Sequence, residues 1–125
     1  MKLGKYLRLD PLGNFDWLTI DRDDFLGSLY EAIDCDCVEH VTLRYGLECL
    51  VDESGLISGY QRMNPLASRL YAGYDAGHRL FGPVIFVRTG IGSSGEPEWL
   101  PIHPGHIRIL EHRLNVDIPD PEVAE

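Results

Sequence analysis

The stretch Phe81-Gly82-Pro83-Val84-Ile85-Phe86-Val87 constrains the fold more than any other part of this chain. It carries no polar side chain, so protein must cover it, and it is far shorter than the ~18 to 20 apolar residues that cross a bilayer. Pro83 has no N–H for a ladder and suits the entry of a strand, not its middle. The stretch therefore predicts a central or well-covered strand over residues 84–88. The other elements have to supply its neighbours and its cover.

Local patterns predict those elements. Residues 2–10 alternate Leu3, Leu7 and Leu9 with Lys and Arg, as a half-buried strand does. Asp10-Pro11-Leu12-Gly13-Asn14 is turn chemistry, because Pro sets φ while Gly and Asn tolerate positive φ. A second strand over 15–20 should hairpin back on the first. Asp21 caps a helix whose stripe of Phe25, Leu26, Leu29, Tyr30 and Ile33 predicts a core face, with Asp23 and Asp24 at the positive end of the dipole. A strand follows over 38–45. Residues 47–51 and 56–60 flank Asp52-Glu53-Ser54-Gly55, a tight turn, and predict a hairpin. Asn64-Pro65 starts a second helix, since Asn caps the amides and Pro at the first position loses nothing. Its apolar face is Leu66, Ala67, Leu70 and Tyr71. Residues 90–95 form a loop, 98–102 a short strand, and Pro104 opens a last helix to Leu114.

The order of strands and helices lacks regular βαβ alternation. The expected fold is α+β: a mixed or mostly antiparallel sheet of five to six strands with two to three helices on one side of it. With 125 residues, 44% of them hydrophobic and 25% charged, the chain has the composition of one compact domain, over residues 1–114. Residues 115–125, with two prolines and four acids, are expected to be a loose acidic tail. No stretch is apolar enough to cross a membrane, and the opening residues lack an apolar signal region, so a cytoplasmic protein is expected. Cys35, Cys37 and Cys49 cannot all pair, which agrees with a reducing compartment.

Net charge is −9 overall but uneven: residues 16–53 carry eleven acids against Arg22 and Arg44, a local −9. Residues 54–114 net +2. A chain with this balance repels a phosphate backbone, so direct nucleic-acid binding is not expected.

Several short motifs follow one another in a distinctive order: Cys37-Val38-Glu39; Leu50-Val51-Asp52-Glu53-Ser54-Gly55-Leu56; Asn64-Pro65-Leu66-Ala67-Ser68; and Gly82-Pro83-Val84. Over residues 25–87, roughly half the chain, this order resembles domain-of-unknown-function family 3846, short proteins of bacteria and phages. The chain departs from the family at Asp34-Cys35-Asp36-Cys37, where the family has an apolar, Gly-containing segment. The resemblance implies a small domain of phages, mobile elements or actinobacteria. It brings no activity and no catalytic residue. The matched residues are turn and cap types, which structural need alone explains.

The candidate sites compete with that plainer explanation. The amino end of the second helix joins free amides near Asn64 to Arg62 and Arg69, with Tyr60, Tyr71 and Tyr74 nearby in sequence. Such a set suits a small anionic, nucleotide-like ligand, or simply a capped helix. Asp21, Asp23, Asp24, Glu31, Asp34 and Asp36 form a candidate acidic interaction face. His103, His106 and His112 lack the i, i+4 helix spacing of a zinc site, and Cys35-Asp36-Cys37 with His40 is an incomplete ligand set, so neither metal nor cofactor is expected. Gly90-Ile91-Gly92-Ser93-Ser94-Gly95 matches a dinucleotide fingerprint but leads into Glu96-Pro97-Glu98 rather than a helix, and reads as a hairpin loop. No catalytic constellation stands out. The expected function is a non-enzymatic binding or adaptor protein, homo-oligomeric, for a small anionic ligand or a host protein. The alternatives are an acidic mimic of DNA or other counter-defence inhibitor, and a nucleotide-acting enzyme.

Overall fold

Asp10 closes the first hairpin. In the computed structural model its carboxylate accepts hydrogen bonds from the backbone N–H groups of Leu12 and Asn14, both at 2.9 Å, and from Asn14 Nδ2 at 3.1 Å. Partial burial acts to raise the Asp10 pKa, but these hydrogen bonds, with help from Arg8, outweigh it and hold the carboxyl below its usual value. The turn joins β1 (Leu3–Leu9) to β2 (Phe15–Asp21) in antiparallel register from Leu3 opposite Asp21 to Leu9 opposite Phe15. The structure describes residues 3–33, 38–43, 46–52, 62–72, 79–92 and 95–121.

The remaining strands are β3 (Val38–Thr42), β4 (Leu47–Asp52), β5 (Val84–Ile91) and β6 (Pro97–Leu100). All pairings are antiparallel, and the order is β2-β1-β5-β4-β3 with β6 added against β5. The fold is thus α+β, as expected. The apolar run lies at the middle of the sheet, where Val84 to Val87 are fully buried. The strand runs on past the expected residue 88 to Ile91, because 88–91 pair with β6. The expected hairpin arm over 56–60 and its turn at 53–55 lie outside the described residues, as do Cys35 and Cys37.

One edge of β5 changes partner. Val84, Ile85 and Phe86 pair with β1, whereas Arg88 to Ile91 pair with β6. Arg88 already has Leu47 of β4 on its other side, so β6 lies on the edge that β1 leaves. The sheet therefore forks, and β6 fills the opening. Tyr6 ties the fork from β1, its hydroxyl donating to the Trp99 carbonyl at 3.0 Å. Arg88 Nε ties it from β5, donating to the Pro101 carbonyl at 2.8 Å.

Helices cover both faces, not one. A 3-10 turn (Arg22–Asp24) leads into α1 (Phe25–Ile33), which buries Leu29 and Ile33 against Tyr6, Ile20, Leu50, Ile85 and Val87. On the opposite face α2 (Pro65–Ala72) and α3 (Pro104–Leu114) cover Leu7, Leu9, Cys49, Val51, Val84 and Phe86. The reason lies in β4 and β5. Every residue of β4 is buried, and period-2 alternation sends Leu50 to one side and Cys49 and Val51 to the other. Such strands need two covering layers. Burial pushes the Cys49 thiol up to about 12, with Glu48 adding to the effect.

Arg8 fixes α1 to the sheet. Its Nε and Nη2 grip both oxygens of Asp16 at 3.0 and 2.6 Å, and its Nη1 donates to the carbonyl of Ala32 in the last turn of α1 at 3.1 Å. The helix has no basic residue of its own there, so a strand supplies the cation that its negative end favours.

The chain beyond α3 is not loose as far as residue 119. Asn115 takes a left-handed turn at φ 54°. The Ile118 N–H then donates to Glu111 Oε2 at 3.0 Å, and Ile118 is buried in the α2–α3 core. Trp17 Nε1 donates to the Pro119 carbonyl at 2.6 Å. Val116 and Ile118 alternate as apolar anchors, and this outweighs the prolines and acids that suggested mobility. Residues 122–125 lie outside the described residues. Among the described residues, no helix is long and apolar enough to cross a membrane.

Candidate functional site

At the start of α2, where the sequence predicts a ligand site, Asn64 points into the protein and Arg62 and Arg69 are exposed. Asn64 is wholly buried, and the three hydrogen bonds of its side chain all go to backbone. Its Nδ2 donates to the carbonyls of Leu9 and Gly82, each at 3.0 Å, and its Oδ1 accepts from the Ala67 N–H at 3.1 Å. Arg69 Nη2 donates to the Leu114 carbonyl at 2.9 Å and so caps the carboxyl end of α3. Arg62 is exposed, and its carbonyl accepts from the Gly82 N–H at 2.6 Å. Tyr71 packs half-buried on the core. Tyr60 and Tyr74 lie outside the described residues. Among the described residues, Asn64 makes a structural joint that links β1, α2 and the approach to β5. Ser68 strengthens that joint, its hydroxyl accepting from the Leu80 N–H at 2.7 Å.

The acidic residues are dispersed in role. Asp21 caps the 3-10 turn by accepting from the Asp23 N–H at 3.0 Å, and Asp16 is held by Arg8. Asp23, Asp24 and Glu31 are exposed, while Asp34 and Asp36 lie outside the described residues. His103 and His106 stack at 5.7 Å and form the capping box of α3, with His106 Nδ1 accepting from the His103 N–H at 3.2 Å. Of the Gly-rich stretch, Gly90 and Ile91 belong to β5 and pair with β6 instead of forming a loop, the Gly92 N–H donates to the Glu96 carbonyl at 3.0 Å, and Ser93 and Ser94 lie outside the described residues.

A cavity of about 480 Å³ opens on the α1 face of the sheet, between the start of α1 and the β5–β6 hairpin. Its volume falls in the range of small-molecule sites. Phe25 and Leu26 form one wall, Pro97 and Trp99 the other, Thr89 the β5 side, and Arg22 with Glu98 the charged rim. Leu26 belongs to the stripe expected in the core, yet it is 49% exposed. Phe25 and Leu29 already fill the row that meets the sheet, and Leu26 sits one helical step to its side.

The aromatic groups are ordered as a chain. Tyr6 lies 5.4 Å from Phe25, Phe25 lies 5.9 Å from Trp99, and Trp99 lies 6.2 Å from His40, all tilted. Tyr6 is buried, and desolvation raises its pKa to about 12, against the lowering influence of Arg22. Its hydroxyl therefore remains a donor, and the bond that holds the Trp99 backbone persists through the physiological range.

Charge in the cavity is incompletely matched. Arg22 Nη2 meets Glu98 Oε1 at 3.3 Å, a long contact for an ion pair. Arg22 Nε is buried and has no hydrogen-bond partner. Gly92 allows Glu98 its position, since a Cβ there would fall 1.1 Å from Glu98 Oε2. Behind Thr89 lies a polar group of three: the Thr89 hydroxyl donates to Glu48 Oε2, and His40 Nε2 stands 3.7 Å from Glu48 Oε1. A second hollow, lined by Arg108, Ile109, His112 and Arg113, rests on one helix and has no opposing wall.

None of these cavity groups was legible as a site. Phe25 and Leu26 read as core, and Glu98 and Trp99 as a short strand more than seventy positions away. The one usable signal was the width of the α1 stripe, which exceeds a single packing row. Comparisons with protein-family models, with curated proteins and with solved structures find no match for this chain.

Proposed function

We propose that this chain is a non-enzymatic binding protein whose cavity between α1 and β6 takes a small, planar, anionic molecule such as a nucleotide or an aromatic acid. The observation that carries this reading is the pairing of tilted aromatic walls with an under-bonded guanidinium. Phe25 and Trp99 offer faces to a flat ring. Arg22 offers a cation whose ion-pair contact is long and whose Nε lacks an acceptor among the described residues. A ligand oxyanion drawing the guanidinium toward it improves that balance, because an unpaired buried donor costs about 1–3 kcal/mol. The lining residues bring a guanidinium, a carboxylate beside it and one hydroxyl. These orient a ligand. No imidazole, thiol or amine stands among them to attack it or to take its proton. On motif order alone, the proposal extends to kinship with family 3846, where Asn64-Pro65 and Gly82-Pro83 would be two halves of one joint.

Trp99 is the reporter for the test. In a Trp17→Phe background, titration with nucleoside 5′-monophosphates and aromatic carboxylates should change its fluorescence saturably. Arg22→Met should weaken binding about tenfold or more, equivalent to about 1.4 kcal/mol. No saturable change with any of these compounds at millimolar concentration defeats the reading.

A further inference from the structure

We propose that Thr89 makes the cavity select its ligand by hydrogen-bond polarity, so that the end of the ligand at β5 must carry an N–H or O–H donor. The inference rests on the binding reading above and deepens it.

The argument starts from who owns the Thr89 proton. Thr89 stands on the α1 face of β5, lines the cavity, and is two residues from Val87, the cross-strand partner of Glu48. Its hydroxyl donates to Glu48 Oε2. Glu48 is buried on β4, and its other oxygen faces His40 Nε2 at 3.7 Å. A hydroxyl has one hydrogen, so this bond commits the single Thr89 donor behind the cavity wall. With its hydrogen so placed, what the hydroxyl of Thr89 has left to offer a ligand in the cavity it lines is oxygen lone pairs. At the opposite rim Arg22 has donors and no acceptor.

The cavity thus has a direction: donor at Arg22, aromatic walls between, acceptor at Thr89. A complementary ligand is a flat ring with an acidic group at one end and an amino, hydroxyl or ring N–H at the other. A nucleotide whose base shows an exocyclic amine fits this description. A keto oxygen at the same place would set lone pairs against lone pairs in a partly desolvated site, the arrangement that binding sites reject most strongly. Glu98 is a second acceptor on the wall, so the role of Thr89 must be read from Thr89 variants and not from ligand preference alone.

Two near-isosteric pairs invert only the relevant edge: adenosine against inosine 5′-monophosphate, and cytidine against uridine 5′-monophosphate. With Trp99 as reporter in the Trp17→Phe background, the amino member of each pair should bind about tenfold more tightly or better. Thr89→Val, which keeps the shape and loses the oxygen, should reduce the preference below about threefold. Thr89→Ser keeps the hydroxyl and should retain the preference, which separates the effect from damage to the fold. Glu48→Gln can donate to Thr89 and release its proton toward the cavity, so the preference should shrink or reverse. Saturable binding with equal affinity in both pairs, or a preference that Thr89→Val leaves intact, overturns the inference while the binding reading stands. Absence of binding by all four nucleotides and by the aromatic acids removes the binding reading itself.

Discussion

Replacing Asn64 with alanine removes three hydrogen bonds at one buried point: two from Nδ2 to the Leu9 and Gly82 carbonyls and one from the Ala67 N–H to Oδ1. Each bond contributes about 1 kcal/mol net, and the orphaned partners add a desolvation cost, so the expected loss is roughly 3–5 kcal/mol. That is a large part of the about 5–15 kcal/mol that holds an ordinary domain together. Asn64→Ser retains an oxygen for the Ala67 cap and should lose less. Asn64→Asp also retains the cap but turns an acceptor toward two carbonyls. In the folded state that carboxyl prefers its neutral form, so its pKa is raised above the unfolded value. The Asp variant should therefore be most stable at low pH and lose stability as pH rises through the raised pKa. Equilibrium urea unfolding followed by far-UV circular dichroism measures all three. A loss for Asn64→Ala near 1 kcal/mol, the typical cost of an N-cap alone, would refute the reasoning, because it would mean the bonds to β1 and Gly82 contribute nothing.

Two further outcomes follow from the core and from the docked C-terminal segment. Cys49 is buried, and its thiol is shifted from 9 to about 12. The folded state thus holds the proton more tightly than the unfolded chain, and stability that is full below pH 9 should fall as pH rises toward 12. By pH 11 the loss from this group is on the order of 3 kcal/mol, and Cys49→Ala should flatten that part of a urea-denaturation pH series. Truncation after Asn115 exposes the site of Ile118 and removes the acceptor of Trp17 Nε1. It should lower stability by about 2–3 kcal/mol and shift Trp17 emission to the red in a Trp99→Phe background; an unchanged melting temperature would contradict the docking of this segment.

Much of the fold was legible because local chemistry dictates it. Asp10 to Asn14 could only turn, Asn64-Pro65 could only start a helix, and the apolar run at Val84 could only be an interior strand. The two-sided cover was legible in principle from β4, where polar Glu48 and Asp52 alternate with Leu50 and yet all are buried. That pattern imitates a half-exposed strand and hid the second layer. The prolines and acids of residues 115–125 read as a loose tail, whereas the alternation of Val116 and Ile118 seats that part of it on the core. The fork and the cavity were not legible at all. Both depend on where β6 lands beside β5, which its ladder with Arg88–Ile91 and the long-range bond from Tyr6 fix only once the chain is folded.

The forked sheet also bears on how the chain reaches its native state. Three hairpins, β1–β2, β3–β4 and β5–β6, join neighbours in sequence and can close early. The pairing of Leu7 with Phe86 joins residues far apart in sequence and must wait until more than two thirds of the chain has been made. During synthesis the first hairpin therefore exists with Leu7 and Leu9 uncovered until β5 arrives. The interval between those events, more than the strength of any one contact, is when the protein is most open to wrong partners.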